Sequence, residues 1–264
     1  MADNRINGAA MLLATARLQQ KRFDRLPENC RLKNEAEAYA AQDRLHAILE
    51  SGQGSRLVGR KIGCTTPVMQ RYLGIDSPCA GGLYDNSVFQ TGVRLRFRDF
   101  RRVGVECEIA VRLSADLPPH AGSHDRETVA TAIESCMAAI EIVDDRYNDY
   151  RSLDTPTLIA DDFFHAGAVF GPDARDWQSL DLAGLEGRMS VDGKTVGEGQ
   201  GSAILGHPLE ALAWLANAEN ARGRSLEAGE IVLLGSLVQT QWVNAGSKVE
   251  ISIDRLGSAS VIFD

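Results

Sequence analysis

The spacing of apolar positions changes character near Arg56. Before it the pattern is helical: Ala9, Leu12, Leu13, Ala16 and Leu18 recur at near-helical intervals, and residues 35–52 form a second helical stretch that Asn34 can cap and Gly52 ends. After it, short runs with a period of two take over. Residues 56–65 (RLVGRKIGCT) read as a strand running into a turn, and 66–74 as a short helix with Pro67 in its first turn. A glycine-rich loop at 79–87 leads into short strands up to Phe97. The pattern predicts a helix over 126–140 that leads into a strand at 139–145. It also predicts a hairpin over 188–199 turning on Asp192-Gly193, a helix over 206–223, and strands at 229–236, 247–254 and 258–263. Many short strands behind a helical start give an α+β chain, with a helical lobe over 1–55 packed on a strand-rich domain over 56–264.

The run VGVECEIAVRL at 103–113 carries the first hint of chemistry. Val103, Val105, Cys107, Ile109, Val111 and Leu113 share one face, which leaves Glu106 and Glu108 together on the other, about 7 Å apart by the strand repeat. Alternation alone makes that face solvated; the pair is otherwise half of a site. Glu141 is a different case. It sits among Ala139, Ile140, Ile142 and Val143, and an ionised carboxylate in such a strand needs a partner: a salt bridge, hydrogen bonds or a cation. The Asp144-Asp145 doublet that follows reads as a pair of loop acids. Three glutamates offering only oxygen, with no His or Cys ligand pattern nearby, would suit Mg²⁺ or Mn²⁺ better than Zn²⁺. A cation held so would leave positions for a chelating 2-oxo acid.

Composition narrows the field. At 264 residues with 44% hydrophobic content, the chain can bury a core without disulfides. A formal charge of -8 argues against nucleic acid as a partner, because phosphate contacts need clustered Lys and Arg, and the Arg-rich run at 94–102 is short and flanked by strands. No apolar run is long enough for a membrane span, and the N-terminal stretch is amphipathic with an early acid, unlike a secretory leader. The five scattered cysteines, without a CxxC, read as buried thiols of a cytoplasmic protein.

Five segments then stand together in a recognisable order: residues 58–85, 104–113, 138–147, 199–217 and 243–263. In that order they resemble the 2-keto-4-pentenoate hydratase, 2-oxohept-4-ene-1,7-dioate hydratase and 4-oxalocrotonate decarboxylase group of the fumarylacetoacetate hydrolase superfamily, from about Ala36 to Phe263. The resemblance implies a mixed β-roll, usually in dimers or larger assemblies, with the further prospect of a complex with a neighbouring pathway enzyme. It implies Glu106, Glu108 and Glu141 as ligands of Mg²⁺ or Mn²⁺, Lys61 as the active-site lysine, and Ser236 beside the substrate carboxylate. Asp161, Phe164 and His165 fall in the stretch that lines the substrate pocket.

The chain departs from the group's pattern twice. Cys79 stands where hydratases carry an acid, with Asp85 close by in sequence. Asp162, Phe163, Phe164 and His165 replace a smaller, more hydroxylic run after Asp161. The expected function is a metal-dependent lyase that adds water to a 2-hydroxy-2,4-dienoate or 2-oxo-enoate in aromatic-compound catabolism. Decarboxylation of a 2-oxo-3-enedioate is the alternative. Acylpyruvate C–C hydrolysis ranks lower, because no His lies between His46 and His120 for the His-Glu pair it needs. An inactive binding homologue is the remaining reading.

Overall fold

The computed structural model describes residues 2–66, 69–71, 74–119 and 122–264, so the helix expected around Pro67 lies partly outside the described residues. Two helices open the chain. Helix α1 (Ala2–Leu18) buries Ile6, Ala9, Ala10, Leu13 and Ala14, whereas Leu12 and Leu18 are exposed: the buried stripe is the small-residue face, which lets α2 approach closely. Helix α2 (Glu35–Gln53) starts where expected, with the Asn34 side chain accepting the Glu37 N–H at 3.0 Å, and closes on Gly54 in the left-handed conformation.

The rest is built on two mixed sheets. The strands are β1 (Leu57–Gly63), β2 (Cys79–Tyr84), β3 (Val88–Gln90), β4 (Val93–Leu95), β5 (Val103–Leu113), β6 (Ile133–Asp144), β7 (His165–Phe170), β8 (Glu186–Val191), β9 (Lys194–Gln200), β10 (Ile231–Ser236), β11 (Gln241–Trp242), β12 (Lys248–Ile253) and β13 (Gly257–Phe263). The larger sheet runs β2-β1-β10-β5-β6-β7-β3 with β11 added on β5; the smaller runs β4-β13-β12-β8-β9. Among the described residues neither sheet closes into a barrel. The short helices α3 (Arg126–Ala130) and α4 (Thr155–Ala160) and the longer α5 (Pro208–Ala221) complete the chain. No helix among the described residues is long and apolar enough to cross a membrane.

The hairpin is found as expected, with Asp192 and Gly193 both at positive φ between β8 and β9. The helix expected over 126–140 is not. It stops at Ala130, and β6 begins at Ile133. Ala, Met and Glu favour a helix locally, but β6 pairs with β5 along nearly its whole length, from Leu113↔Ile133 to Val103↔Asp144, and that ladder outweighs propensity. The solvated face expected for Glu106 and Glu108 is also corrected. The odd-numbered side of β5 joins the main core with Val249, Ile251 and Val261 of the second sheet. The even-numbered side is covered as well, with Ala110 in a cluster with Leu83, Met137 and Leu233, so Glu108 keeps only 1% of its exposure.

Charged pairs clamp the opening helices to this sheet. Asp162 is fully buried and takes Arg17 of α1 at 3.0 Å, His46 of α2 at 2.7 Å and the Gly82 N–H of β2 at 3.0 Å. Asp161 beside it takes Arg17 at 2.5 Å, Arg146 at 3.0 Å and the Tyr147 hydroxyl at 2.5 Å. Nearby on α2, Arg222 and Arg224 both hold Asp43, and the Gln42 amide donates to Ala80 O and Ile159 O. Burial alone would raise the Asp162 carboxyl; the charges of His46 and Arg17, with their hydrogen bonds and that of Gly82, outweigh it and hold the group well below the usual range. Asp161 is likewise held low against burial, by Arg146, Arg17 and Tyr147.

Two outcomes follow from this architecture. A Cβ on Gly59 would lie 2.0 Å from the Ile231 carbonyl of the parallel neighbour β10, a backbone atom with nowhere to go. Gly59→Ala should therefore cost about 1–3 kcal/mol or more, read as a lower urea midpoint. The second outcome concerns pH. Because Asp161 and Asp162 titrate lower in the folded chain than in the unfolded one, their stabilisation is present above about pH 4 and is lost as pH falls below it. Asp162→Asn should lose about 3–5 kcal/mol at neutral pH and show a shallower fall in urea midpoint below pH 4. Parallel pH profiles for the two proteins would refute the assignment.

Candidate functional site

Strands β5 and β6 place Glu106 directly opposite Glu141, and Glu108 opposite Ala139. Like charges facing each other across a ladder repel, and here water cannot screen them, since Glu108 and Glu141 are buried and Glu106 is half-buried. Carboxylate oxygens of the three glutamates lie within 4.8 Å of one another. Burial first, and then the neighbouring Glu141, push the Glu106 carboxyl up to about 7, with the Thr240 hydroxyl and Lys61 opposing. Burial, Glu141 and Glu106 push Glu108 well up in the same way, against the Gly235 N–H and Lys61. Burial would raise Glu141 too, but Lys61 and His165 outweigh it and hold it below its ordinary value.

Each glutamate is oriented by a different element. The Thr240 hydroxyl donates to Glu106. Glu108 accepts the Gly235 N–H at 3.0 Å, made available by a break in register between Leu233 and Ser236 on β10. Gly235 adopts φ +123°, and a Cβ there would meet Thr65 Oγ1 at 2.6 Å, so glycine is required at this bulge. Glu141 accepts from Lys61 Nζ at 3.3 Å and pairs with His165 Nδ1 at 2.8 Å. Lys61 is 3% exposed, far from the surface position its strand-end location would suggest. Burial would lower its ammonium, but Glu141, Glu106 and Glu108 outweigh that and raise it, so it stays charged.

The second departure from the family's pattern forms a strained turn. Asp162, Phe163 and Phe164 take φ of 52°, 49° and 68°, three successive non-glycine residues in the left-handed region, each costing about 1–3 kcal/mol. Side chains pin the turn at every step: Arg17 and the His46 ring on the Asp162 carboxylate, Lys61 on the Phe163 carbonyl at 3.1 Å, and Arg146 on the carbonyls of Phe164 and His165 at 3.2 and 2.9 Å. The turn sets the Phe163 ring 5.8 Å from Lys61 Nζ and delivers His165 to Glu141.

The structure thus brings Lys61, Glu106, Glu108, Glu141 and His165 together, with Ser236 next to Glu108 through the strand register. The Ser236 hydroxyl itself turns to the carbonyl of Val238 at 2.6 Å. Asp161 is engaged in the clamp, and the Phe164 ring packs edge-on against Tyr147 and Tyr150, leaving Phe163 as the ring beside the lysine. Cys79 is buried opposite Gly63, and the neighbouring Cys64 thiol, then burial, raise its pKa, so no charged group stands there. Asp85 does not replace it: exposed, it accepts the Arg56 N–H. Asp144 and Asp145 serve the chain, Asp144 taking the N–H groups of Arg101 and Arg102 and Asp145 that of Tyr147. Thr240, Gly235, Arg17 and His46 carry no motif that sequence reading could have used. His165 was visible, but its Glu141 contact depends on a bulge between Ile142 and Val143.

Comparison with known proteins assigns the chain's family and fold. The family model described as "Fumarylacetoacetate (FAA) hydrolase C-terminal" matches residues 83–261. A 2-keto-4-pentenoate hydratase of Burkholderia vietnamiensis is 34% identical over 263 residues, covering 99% of this chain and 98% of the relative. A 2-hydroxyhexa-2,4-dienoate hydratase of Comamonas testosteroni is 36% identical over 222 residues, 83% of each chain. The solved 4-oxalocrotonate decarboxylase of Pseudomonas putida G7, complexed with magnesium and adipate, superimposes with a TM-score of 0.92 at 25% identity, covering 100% of this chain and 99% of that one. By matched family, by end-to-end similarity and by fold, the chain belongs to the fumarylacetoacetate hydrolase family.

Proposed function

We propose that the protein is a divalent-metal-dependent lyase of the hydratase type, adding water to a 2-hydroxy-2,4-dienoate or its 2-oxo-enoate form. The observation that carries the reading is the buried cradle of Glu106, Glu108 and Glu141 with the charged Lys61 beside it. The donor set fits the ion: all oxygen, converging, and with two carboxyls pushed up by the crowding that a hard divalent cation would relieve. Glu106, Glu108 and Glu141 would hold Mg²⁺ or Mn²⁺, which when bound supplies Lewis acidity toward the carboxylate and 2-oxo oxygens of a chelating substrate.

The chain's own groups then divide the work. Lys61, fixed between Glu141 and the Phe163 carbonyl, is charged and placed to give a proton to the diene carbon and to recover one from the 2-hydroxyl as the 2-hydroxy-dienoate becomes the 2-oxo form. The Phe163 ring walls the lysine from water. Ser236 borders the place for the substrate carboxylate, beside Glu108. His165 acts as a positioning residue, holding Glu141. Loss of CO₂ from a 2-oxo-3-enedioate is the second reading, favoured by the close superposition on a decarboxylase; the higher identity to hydratases puts hydration first. A homo-oligomer is part of the same proposal, as is a cytoplasmic location, which the free thiols of all five cysteines support.

With Mg²⁺, the protein should consume 2-hydroxypenta-2,4-dienoate, read as loss of dienoate absorbance, and release no CO₂ from 2-oxohex-3-enedioate. The reverse result would make it a decarboxylase, and neither reaction would sink the lyase reading. Glu106→Gln should weaken Mg²⁺ binding in titration calorimetry and lower turnover together; unchanged Mg²⁺ affinity would remove Glu106 from the ligand set. Lys61→Ala should keep Mg²⁺ binding while kcat falls about 100-fold or more.

A further inference from the structure

Two of the cysteines meet beside the lysine strand. Cys79 opens β2 and is paired in register with Gly63, the last residue of β1. Cys64 follows Gly63 and takes φ +60°, the left-handed region that non-glycine residues rarely adopt. A disulfide spans Cα atoms roughly 4.4–6.8 Å apart. A cross-strand partner lies about 4.5–5.5 Å away and the next residue along the chain about 3.8 Å further on, so the turn at Cys64 decides whether the pair can meet. The turn brings them together: Cys64 packs against the buried cluster that contains Cys79, and the two thiols share a hydrogen bond. The Gln70 amide holds the turn by donating to the Cys64 carbonyl at 3.0 Å. The other three thiols are buried elsewhere. Cys107 faces Ile140 and Cys136 faces Val111, well apart on the β5–β6 ladder, and Cys30 lies against Gly8 of α1.

The two sulfurs differ in access. Cys79 is 1% exposed and Cys64 is half-buried, so an oxidant meets Cys64 first. The Cys64 thiol, and then burial, push the Cys79 thiol up, which keeps it protonated until its partner has reacted. The position of the pair ties it to the glutamate site. A Cβ on Gly63 would lie 3.4 Å from Lys61 Nζ, so the lysine stands against the same turn, and a nearby cation favours the reactive thiolate. One residue after Cys64, the Thr65 side chain lies against Gly235, whose N–H holds Glu108. Cys64 therefore sits on the backbone between two groups that touch the site.

We propose that Cys64 and Cys79 are a reversible dithiol–disulfide pair, oxidised by hydrogen peroxide and reset by small thiols, that acts on the site through the turn after Lys61. The Cys64 sulfur attacks the O–O bond of the peroxide, takes one oxygen as a sulfenic acid, and one water leaves. The Cys79 sulfur then displaces that hydroxyl, which departs as a second water with the Cys79 proton. Two thiols lose two electrons and the peroxide gains them. The new bond draws the sulfurs from contact to covalent distance, and the backbone at Cys64 has to follow, carrying Lys61 on one side and Thr65 on the other.

The test uses the full-length protein, treated with a small excess of hydrogen peroxide, alkylated with N-ethylmaleimide and digested with trypsin. Cleavage after Lys61, Arg71 and Arg94 places Cys64 and Cys79 on different peptides, 62–71 and 72–94. Mass spectrometry should find these two peptides joined after oxidation and separate after dithiothreitol, with Cys30, Cys107 and Cys136 still reduced. Cys64→Ser and Cys79→Ser should each abolish the linkage; if one fails to fold, the other and the wild-type peptides still decide. Both cysteines recovered as alkylated thiols, or Cys64 recovered as a sulfinic acid beside a free Cys79, would overturn the proposal. In a second arm, Mg²⁺-dependent loss of 2-hydroxypenta-2,4-dienoate should slow about tenfold or more on oxidation and recover with dithiothreitol, while Cys64→Ser keeps its rate under peroxide. A linked protein with an unchanged rate would overturn the action on the site. Only this arm rests on the lyase reading: a protein inactive before oxidation counts against that reading, and the peptides decide the disulfide by themselves.

Discussion

Glu106 facing Glu141 across a ladder is the constraint around which the molecule is arranged. A buried and a half-buried carboxylate in register would ordinarily push paired strands apart, and a third, Glu108, lies one repeat along. The fold holds them with donors brought from four directions: Lys61 from β1, His165 from β7, the Gly235 amide from β10 and the Thr240 hydroxyl from the segment before β11. Only one of these donors, Lys61, is a permanent cation that the glutamates keep charged. One positive charge among three carboxylates leaves an excess of acid, which is why the arrangement reads as a receptor for a divalent ion more than as a closed salt bridge.

The same economy of charge explains the strained turn at 162–164. Large aromatic residues in the left-handed region are poor choices for a free loop. Here the turn is fixed from outside by Arg17, His46, Lys61 and Arg146, and in return it orders two neighbours of the glutamates and one ring: the lysine through a carbonyl, Glu141 through His165, and the Phe163 ring beside the lysine. The clamp that attaches α1 and α2 to the sheet is thus continuous with the network that shapes the site.

What could be read in the sequence, and what could not, follows from where each signal lives. The β5 strand, the Asp192-Gly193 turn and the capped α2 are local patterns, and they stand as expected. The helix expected up to Ile140 failed because Ala, Met and Glu were judged alone, while a long partner strand decided the outcome. Alternation showed which residues share a face but not that both faces of β5 are covered, so Glu106 and Glu108 looked solvated. Strand spacing and an apolar run made the three glutamates a coherent oxygen site, but Lys61 joined them only through resemblance to a family, because it lies on a strand far away in sequence. Which of the two adjacent rings lies beside the lysine, Phe163, and which packs on Tyr147 and Tyr150, Phe164, is set by backbone angles that composition does not reveal.

The register break at Gly235 also bears on how the chain is made. Glu106, Glu108 and Glu141 are joined early, by two strands that lie close in sequence, but the amide that receives Glu108 and the hydroxyl that receives Glu106 belong to the last part of the chain. Synthesis from the N-terminus therefore leaves an acidic hairpin waiting for its C-terminal donors, and β10 must thread in beside β1 and β5 to supply them. Glu106 and Glu108 have their donors only where β10 and the segment before β11 have joined the larger sheet, so the completeness of the site is tied to the completeness of that sheet.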